Sequence, residues 1–297
     1  MELEEDMLFL NNLKYQNVSE VFQEISDIPY AVVKGEPLSL AAYGAFGCRG
    51  FGDIDLLIPR SYLDSVERIL RSLQYKTNLT NRRDRLLLMS YSHQLIEYTK
   101  YYDDMMIEID LNFDILWGEY QGSRIDMDNF LSDTIAMDIH GIRVKTLTPI
   151  KALIQLVLHH YKDMNSIFLL ATKKSIKHIM FKDLYYYFKN NKHHFPLEKL
   201  YKLCEKYEVV PYVYYILYYT GLLFDDKDLQ QYVDAFYCEE GNNLIDHYGL
   251  NESEQHKWSV DFKTRLDSNN LFDLIKDDLT VKDIEKININ KKLFLSE

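Results

Sequence analysis

Between Met106 and Phe113 the chain alternates polar and apolar side chains without a break. Ile107, Ile109, Leu111 and Phe113 fall on one side of an extended strand, and Glu108, Asp110 and Asn112 on the other. Such a strand needs a sheet with one face packed and the other polar. The pattern occurs earlier too, at Asp53-Ile54-Asp55-Leu56-Leu57-Ile58. Asp53 and Asp55 share a face there, while Ile54, Leu56 and Ile58 point into a core. Two acidic strands of this kind commit the first half of the chain to an α+β architecture, because their apolar sides have to be covered.

The remaining elements of that half follow from local signals. Glu20–Ser26 reads as the end of a helix. Tyr30–Lys34 is a short β-branched run ended by Gly35. Leu38–Ala45 reads as a helix with Pro37 near its start. Ser61–Leu73 is amphipathic, with Ser61 as its cap. Leu86–Tyr91 and Gln94–Thr99 read as strands, Asp103-Asp104 as a turn, and Thr134–Thr146 as a hairpin around His140-Gly141. After Pro149 the periodicity changes to helical, over Ile150–Tyr161, Ile176–Phe188, Leu197–Tyr207, Pro211–Leu222 and Leu229–Phe236. We therefore expect two domains: residues 1–149, a mixed sheet with helices, and residues 150–297, an all-helical domain closing one wall of a cleft.

The chain has 297 residues and a formal net charge of −12. That charge argues against non-specific binding of nucleic acid or of an anionic membrane, since both carry phosphate. Val209–Phe224 is apolar but holds Pro211 and Gly221, and it falls short of the roughly 20 residues a spanning helix needs; it reads as a buried, aromatic-rich helix. Cys48, Cys204 and Cys238 have no metal-ligand spacing and are odd in number, which favours a reducing, cytoplasmic setting. Cys48 reads as a small packed residue. The His residues lack zinc spacing, and Lys151, Lys162, Lys173, Lys174 and Lys177 read as a solvated basic face or a wall for phosphate.

Two carboxylates side by side repel, and each raises the other's affinity for protons. A fold keeps such a pair when a cation lies between them, and hard oxygen donors suit Mg²⁺. The alternative for Asp53-Ile-Asp55 is a solvated edge-strand face. Gly50 and Gly52, just before the pair, make a loop that a ligand can approach closely. If the Met106–Phe113 strand lies beside the first, its carboxylates join the same patch. That geometry suits two divalent ions bridging a triphosphate, with one carboxylate also taking a proton from an attacking hydroxyl. Lys34-Gly35, between a strand and a helix, offers a turn where phosphate oxygens meet backbone and an ammonium; alone it also reads as an ordinary turn.

Lys34-Gly35, Asp53-Ile-Asp55 and Asp110 occur in the order of the DNA-polymerase-β-like nucleotidyltransferase superfamily. The sequence resembles more closely an uncharacterised bacterial nucleotidyltransferase family of that superfamily. It does so at Val33-Lys34-Gly35, at Arg49 with Gly52-Asp53-Ile54-Asp55-Leu56-Leu57-Ile58, and at Ile109-Asp110-Leu111-Asn112, over about Tyr30 to Phe188. The chain departs from the pattern at Glu36, where the superfamily has Ser, and at Asn112, where the family has His. The resemblance implies Asp53, Asp55 and Asp110 as catalytic metal ligands, with Lys34, Gly35, Arg49 and Gly52 beside the nucleotide phosphates. It implies Mg²⁺ as cofactor, as two ions, and an NTP, ATP first, as substrate. The expected reaction moves a nucleoside monophosphate to an acceptor hydroxyl or phosphate and releases pyrophosphate. The acceptor is unidentified: a small molecule, a peptide or a protein. The rival expectation is a catalytically decayed NTP-binding or protein-interaction module.

Overall fold

The computed structural model describes residues 2–50, 52–79, 81–103, 105–118, 120–172 and 175–294. Asp104, Lys173 and Lys174, on which part of the sequence reading falls, lie outside the described residues. The chain divides into two compact units. One holds Met1–Gly118, Ile125–Ala152 and Lys189–His194; the other holds Glu119–Arg124, Leu153–Phe188 and Phe195–Glu297.

The first unit carries a mixed sheet of β1 (Ala31–Val33), β2 (Asp53–Leu57), β3 (Tyr98–Tyr102), β4 (Met105–Asn112), β5 (Ile135–Ile139) and β6 (Ile142–Thr146), in the order β3-β4-β2-β1-β6-β5. β1 runs antiparallel to β2 and parallel to β6, and β2 runs parallel to β4. The alternation in the sequence fixes which side is packed: Ile54, Leu56 and Ile58 of the first acidic strand, and Ile107, Ile109, Leu111 and Phe113 of the second, are all buried. The hairpin forms at the expected place. His140 and Gly141 both have positive φ (53° and 80°), as a tight turn between antiparallel strands requires.

Helices α1 (Glu2–Asn17), α2 (Ser19–Glu24), α3 (Gly35–Tyr43), α4 (Leu63–Ser72), α5 (Arg82–Tyr91), α6 (Met127–Phe130) and the start of α7 (Pro149–Asn165) complete this unit. Three local expectations are corrected. Leu86–Tyr91 is helical rather than extended. Its leucines favour helix, Asn81 caps it by accepting from the Asp84 amide at 2.8 Å, and Arg85 reaches Glu67 at 2.7 Å and Asp64 at 2.5 Å on α4. Ser61 does not cap α4, because Arg60–Tyr62 forms a short 3₁₀ turn after Pro59 and the residue at the helix boundary is Tyr62. The strand expected over Gln94–Thr99 begins only at Tyr98; Gln94 forms an isolated bridge to Asn112.

The second unit contains the rest of α7 with α8 (Ile167–Ala171), most of α9 (His178–Asn191), α10 (Leu197–Lys206), α11 (Val210–Leu223), α12 (Lys227–Phe236), α13 (Glu239–Leu244), α14 (Phe262–Asp267), α15 (Phe272–Ile275) and α16 (Val281–Phe294). It also holds a short antiparallel pair, His247–Tyr248 with His256–Lys257, which the sequence reading did not foresee. Its interior is built on aromatic side chains: Tyr161, Phe181, Phe188, Tyr215 and Tyr219 are almost completely buried. The Val209–Phe224 segment is α11, mostly buried as expected, and no described helix is long and apolar enough to cross a membrane.

Candidate active site

β2 and β4 pair in parallel with Asp53 opposite Glu108, Asp55 opposite Asp110 and Leu57 opposite Asn112. This register puts the two acidic faces on the same side of the sheet. Asp53, Asp55 and Asp110 each present a carboxylate oxygen, and these atoms lie within 4.8 Å of one another. The pairing supplies what the sequence left conditional, since residues more than fifty positions apart become lateral neighbours.

The charges do not sit there comfortably. Asp55 is buried, and burial raises its proton affinity; Lys34 offsets this, the neighbouring Asp53 adds to it, and Asn112 also works against it. Asp110 is pushed up to about 8, first by burial and then by the charges of Asp55 and Asp53. Glu108 is raised in the same direction, by burial and then by Asp53 and Glu97. These shifts favour the protonated forms of Asp55, Asp110 and Glu108, and a bound cation would act against them.

The polar contacts leave oxygens on the triad available. Asp55 Oδ1 accepts from Lys34 Nζ at 2.7 Å and from Asn112 Nδ2 at 3.1 Å. Asp110 Oδ2 accepts from Gln94 Nε2 at 3.3 Å. In both residues the second carboxylate oxygen has no hydrogen-bond donor among the described residues. A hard, all-oxygen donor set gathered this closely fits Mg²⁺ in chemistry and number. Asp53, Asp55 and Asp110 are the residues that would hold it.

Lys34 reaches Asp55 through the sheet: Val33, the last residue of β1, lies opposite Asp55. Lys34 then turns the chain into α3 with φ 58° and ψ −142°, and Gly35 follows with φ 44°. The Lys34 conformation borders a region that glycine almost alone occupies, and holding it costs on the order of 1–3 kcal/mol. Glu36, which stands where the superfamily has Ser, is engaged elsewhere. It is fully buried, accepts from the Gly47 amide at 3.0 Å and pairs with His140 Nε2 at 2.8 Å. It therefore ties α3 to the loop ahead of β2 and to the β5–β6 turn.

The loop residues are placed less closely. Arg49 is half-buried, and its carbonyl accepts from Asn11 Nδ2 at 3.4 Å. Gly52 is exposed, has open space where a side chain would go, and its carbonyl accepts from Lys14 Nζ at 3.2 Å. Lys14 was missed in the sequence. Burial lowers its pKa while Asp53 and Glu108 oppose that shift, which places its charge beside the acidic face. Its signal was slight: it is the first basic residue after an acidic start. Gln94 was missed as a side-chain partner of Asp110. Cys48, expected to be packed, is exposed. Lys151 is no phosphate wall, because its buried ammonium is taken by the Phe130 carbonyl (2.7 Å) and Asp133 (2.5 Å). His159 pairs with Asp163 one turn along its own helix.

A mixed sheet thus carries clustered carboxylates on adjacent strands, beside a strand-to-helix turn bearing lysine. A family model of uncharacterised nucleotidyltransferases matches residues 7–225, and the chain belongs to that family. Among solved structures, it is similar to an antigenic nucleotidyltransferase-like protein from Paracoccidioides brasiliensis, at 14% identity over 75% of this chain and 92% of that one, with a TM-score of 0.37. No curated protein matches.

Proposed function

We propose that this chain is a Mg²⁺-dependent nucleotidyltransferase that moves a nucleoside monophosphate from an NTP, ATP first, to an acceptor hydroxyl or phosphate. The observation that carries this reading is the convergence of Asp53, Asp55 and Asp110 within 4.8 Å, on paired strands beside Lys34. When bound, Mg²⁺ would neutralise the triphosphate and polarise its α-phosphorus towards attack.

The chain's own groups supply positioning and charge. Asp53 and Asp55, completed by Asp110, would hold the cation. Asp110, ionised once a cation is bound beside it, would accept the proton of the attacking hydroxyl. The acceptor oxygen bonds the α-phosphorus, the bond from that phosphorus to the bridging oxygen breaks, and pyrophosphate leaves. Lys34 and the start of α3 would offset the charge that the departing phosphates gain. Glu36 and Asn112, which prompted the reading as a decayed module, have supporting roles in the fold and at Asp55. The named residues all precede Pro149, which supports residues 1–149 as the catalytic domain and residues 150–297 as a helical domain. The net charge of −12 favours a small-molecule, peptide or protein acceptor over nucleic acid.

The test is incubation of the full chain with α-phosphate-labelled NTPs, Mg²⁺ and candidate acceptors, following label transfer and pyrophosphate together. Tight Mg·NTP binding with no release under any acceptor would favour the non-catalytic module instead.

A further inference from the structure

Three features meet at Lys34. Its ammonium lies 2.7 Å from Asp55 Oδ1, against a carboxylate that is only 4% exposed. Its backbone sits at φ 58° and ψ −142°, where glycine would be relaxed and lysine is strained. Its side chain is 17% exposed and so is not locked in the core. A carboxylate buried beside two others needs a positive group against it to offset their repulsion, and the Lys34 ammonium is in that position. Strand pairing sets Val33 opposite Asp55, so the next residue is where the chain can place that cation.

We propose that Lys34 is a built-in counter-ion: it occupies Asp55 in the metal-free protein, then releases it on entry of a divalent ion with nucleotide and transfers its charge to the phosphates. The inference rests on the reading of the site as a metal-dependent nucleotide site. The lysine stem allows the ammonium to move while its backbone stays fixed. A divalent ion arriving alone has to displace the ammonium from Asp55 into solvent. One arriving with a triphosphate gives the ammonium a new partner. Lys34 thus couples the two ligands: it opposes bare metal and favours metal with nucleotide.

The experiment is calorimetry on the full chain at pH 8.5, where proton competition is weak, with Mg²⁺ alone and with Mg·ATP. Lys34→Gly suits the backbone conformation and keeps the fold. It should bind bare Mg²⁺ on the order of tenfold more tightly than wild type, as expected when one positive charge about 4 Å from the ion is removed. It should bind Mg·ATP at least tenfold more weakly. Lys34→Arg keeps the charge and should keep the weak bare-metal affinity. Opposite signs for the two ligands are what a merely structural lysine would not produce. If Lys34→Gly binds bare Mg²⁺ no more tightly than wild type while wild type binds Mg·ATP, the counter-ion role is overturned and the site reading stands. If wild type binds neither, both are overturned.

Discussion

Asn112 Nδ2 donates to Asp55 Oδ1 at 3.1 Å, from the strand that also carries Asp110. Asn112 is buried, and its amide fixes the orientation of the carboxylate at the centre of the triad. A hydrogen bond to a charged group contributes about 1.5–3 kcal/mol. Asn112→Ala should therefore lower pyrophosphate release roughly tenfold to a hundredfold, with less effect on the KM for NTP. Asn112→His, which restores a ring donor, should remain closer to wild type. Steady-state kinetics on the two variants checks this.

Each carboxylate of the triad should be indispensable. Asp53→Asn, Asp55→Asn and Asp110→Asn should each reduce turnover on the order of 10²-fold or more, the scale of losing one preorganised electrostatic group. Their circular dichroism should match wild type. A variant that is folded and fully active would remove its residue from the site.

The metal-free protein should weaken as pH rises. Asp110 titrates at about 8 when folded, against an ordinary value of 3.8, so between these values the folded state holds a proton that the unfolded state has lost. Stability from this group is full below about pH 4 and is lost as pH climbs to about 8. Scanning calorimetry should show Asp110→Asn more heat-stable than wild type above pH 8 without metal. The rise in Tm on adding Mg²⁺ should be larger at pH 8 than at pH 5.

Glu36 should matter for stability. With its carboxylate removed, the Gly47 amide and His140 lose a fully buried partner. Glu36→Ala should cost about 2–3 kcal/mol in urea unfolding, the scale for leaving buried partners of a charged group unsatisfied. An unchanged midpoint would contradict this.

At the C-terminal helix, Asp283 Oδ2 accepts from the Thr280 amide (2.8 Å), the Thr280 hydroxyl (2.7 Å) and His256 (3.0 Å), while Thr280 Oγ1 accepts from the Asp283 amide. This is a reciprocal cap on α16. Burial acts to raise the Asp283 pKa, but these bonds outweigh it and hold the carboxyl low. Its contribution is present above about pH 4 and is lost as pH falls further. Asp283→Ala should cost about 1–2 kcal/mol at pH 7 and much less at pH 3, read by chemical unfolding at both.

The carboxylate cluster was legible in sequence wherever chemistry and periodicity coincided. The two acidic strands declared their faces by alternation, and the His140-Gly141 turn by its residue types. What sequence withheld was lateral: no local pattern states that Asp55 pairs with Asp110, or that Gln94 reaches that carboxylate. Leu86–Tyr91 misled because a short leucine-rich run fits strand or helix equally, and the deciding contacts, Arg85 with Glu67 and Asp64, are tertiary. Glu36 misled for the same reason: its neighbours in sequence are Lys34 and Gly35, but its partners are Gly47 and His140.

The most direct measurement is calorimetric binding of ATP to wild type and to an Asp53→Asn/Asp55→Asn double variant, each with and without Mg²⁺. The account predicts Mg²⁺-dependent binding in wild type and its loss in the folded double variant. Equal, metal-independent binding by both proteins would contradict it.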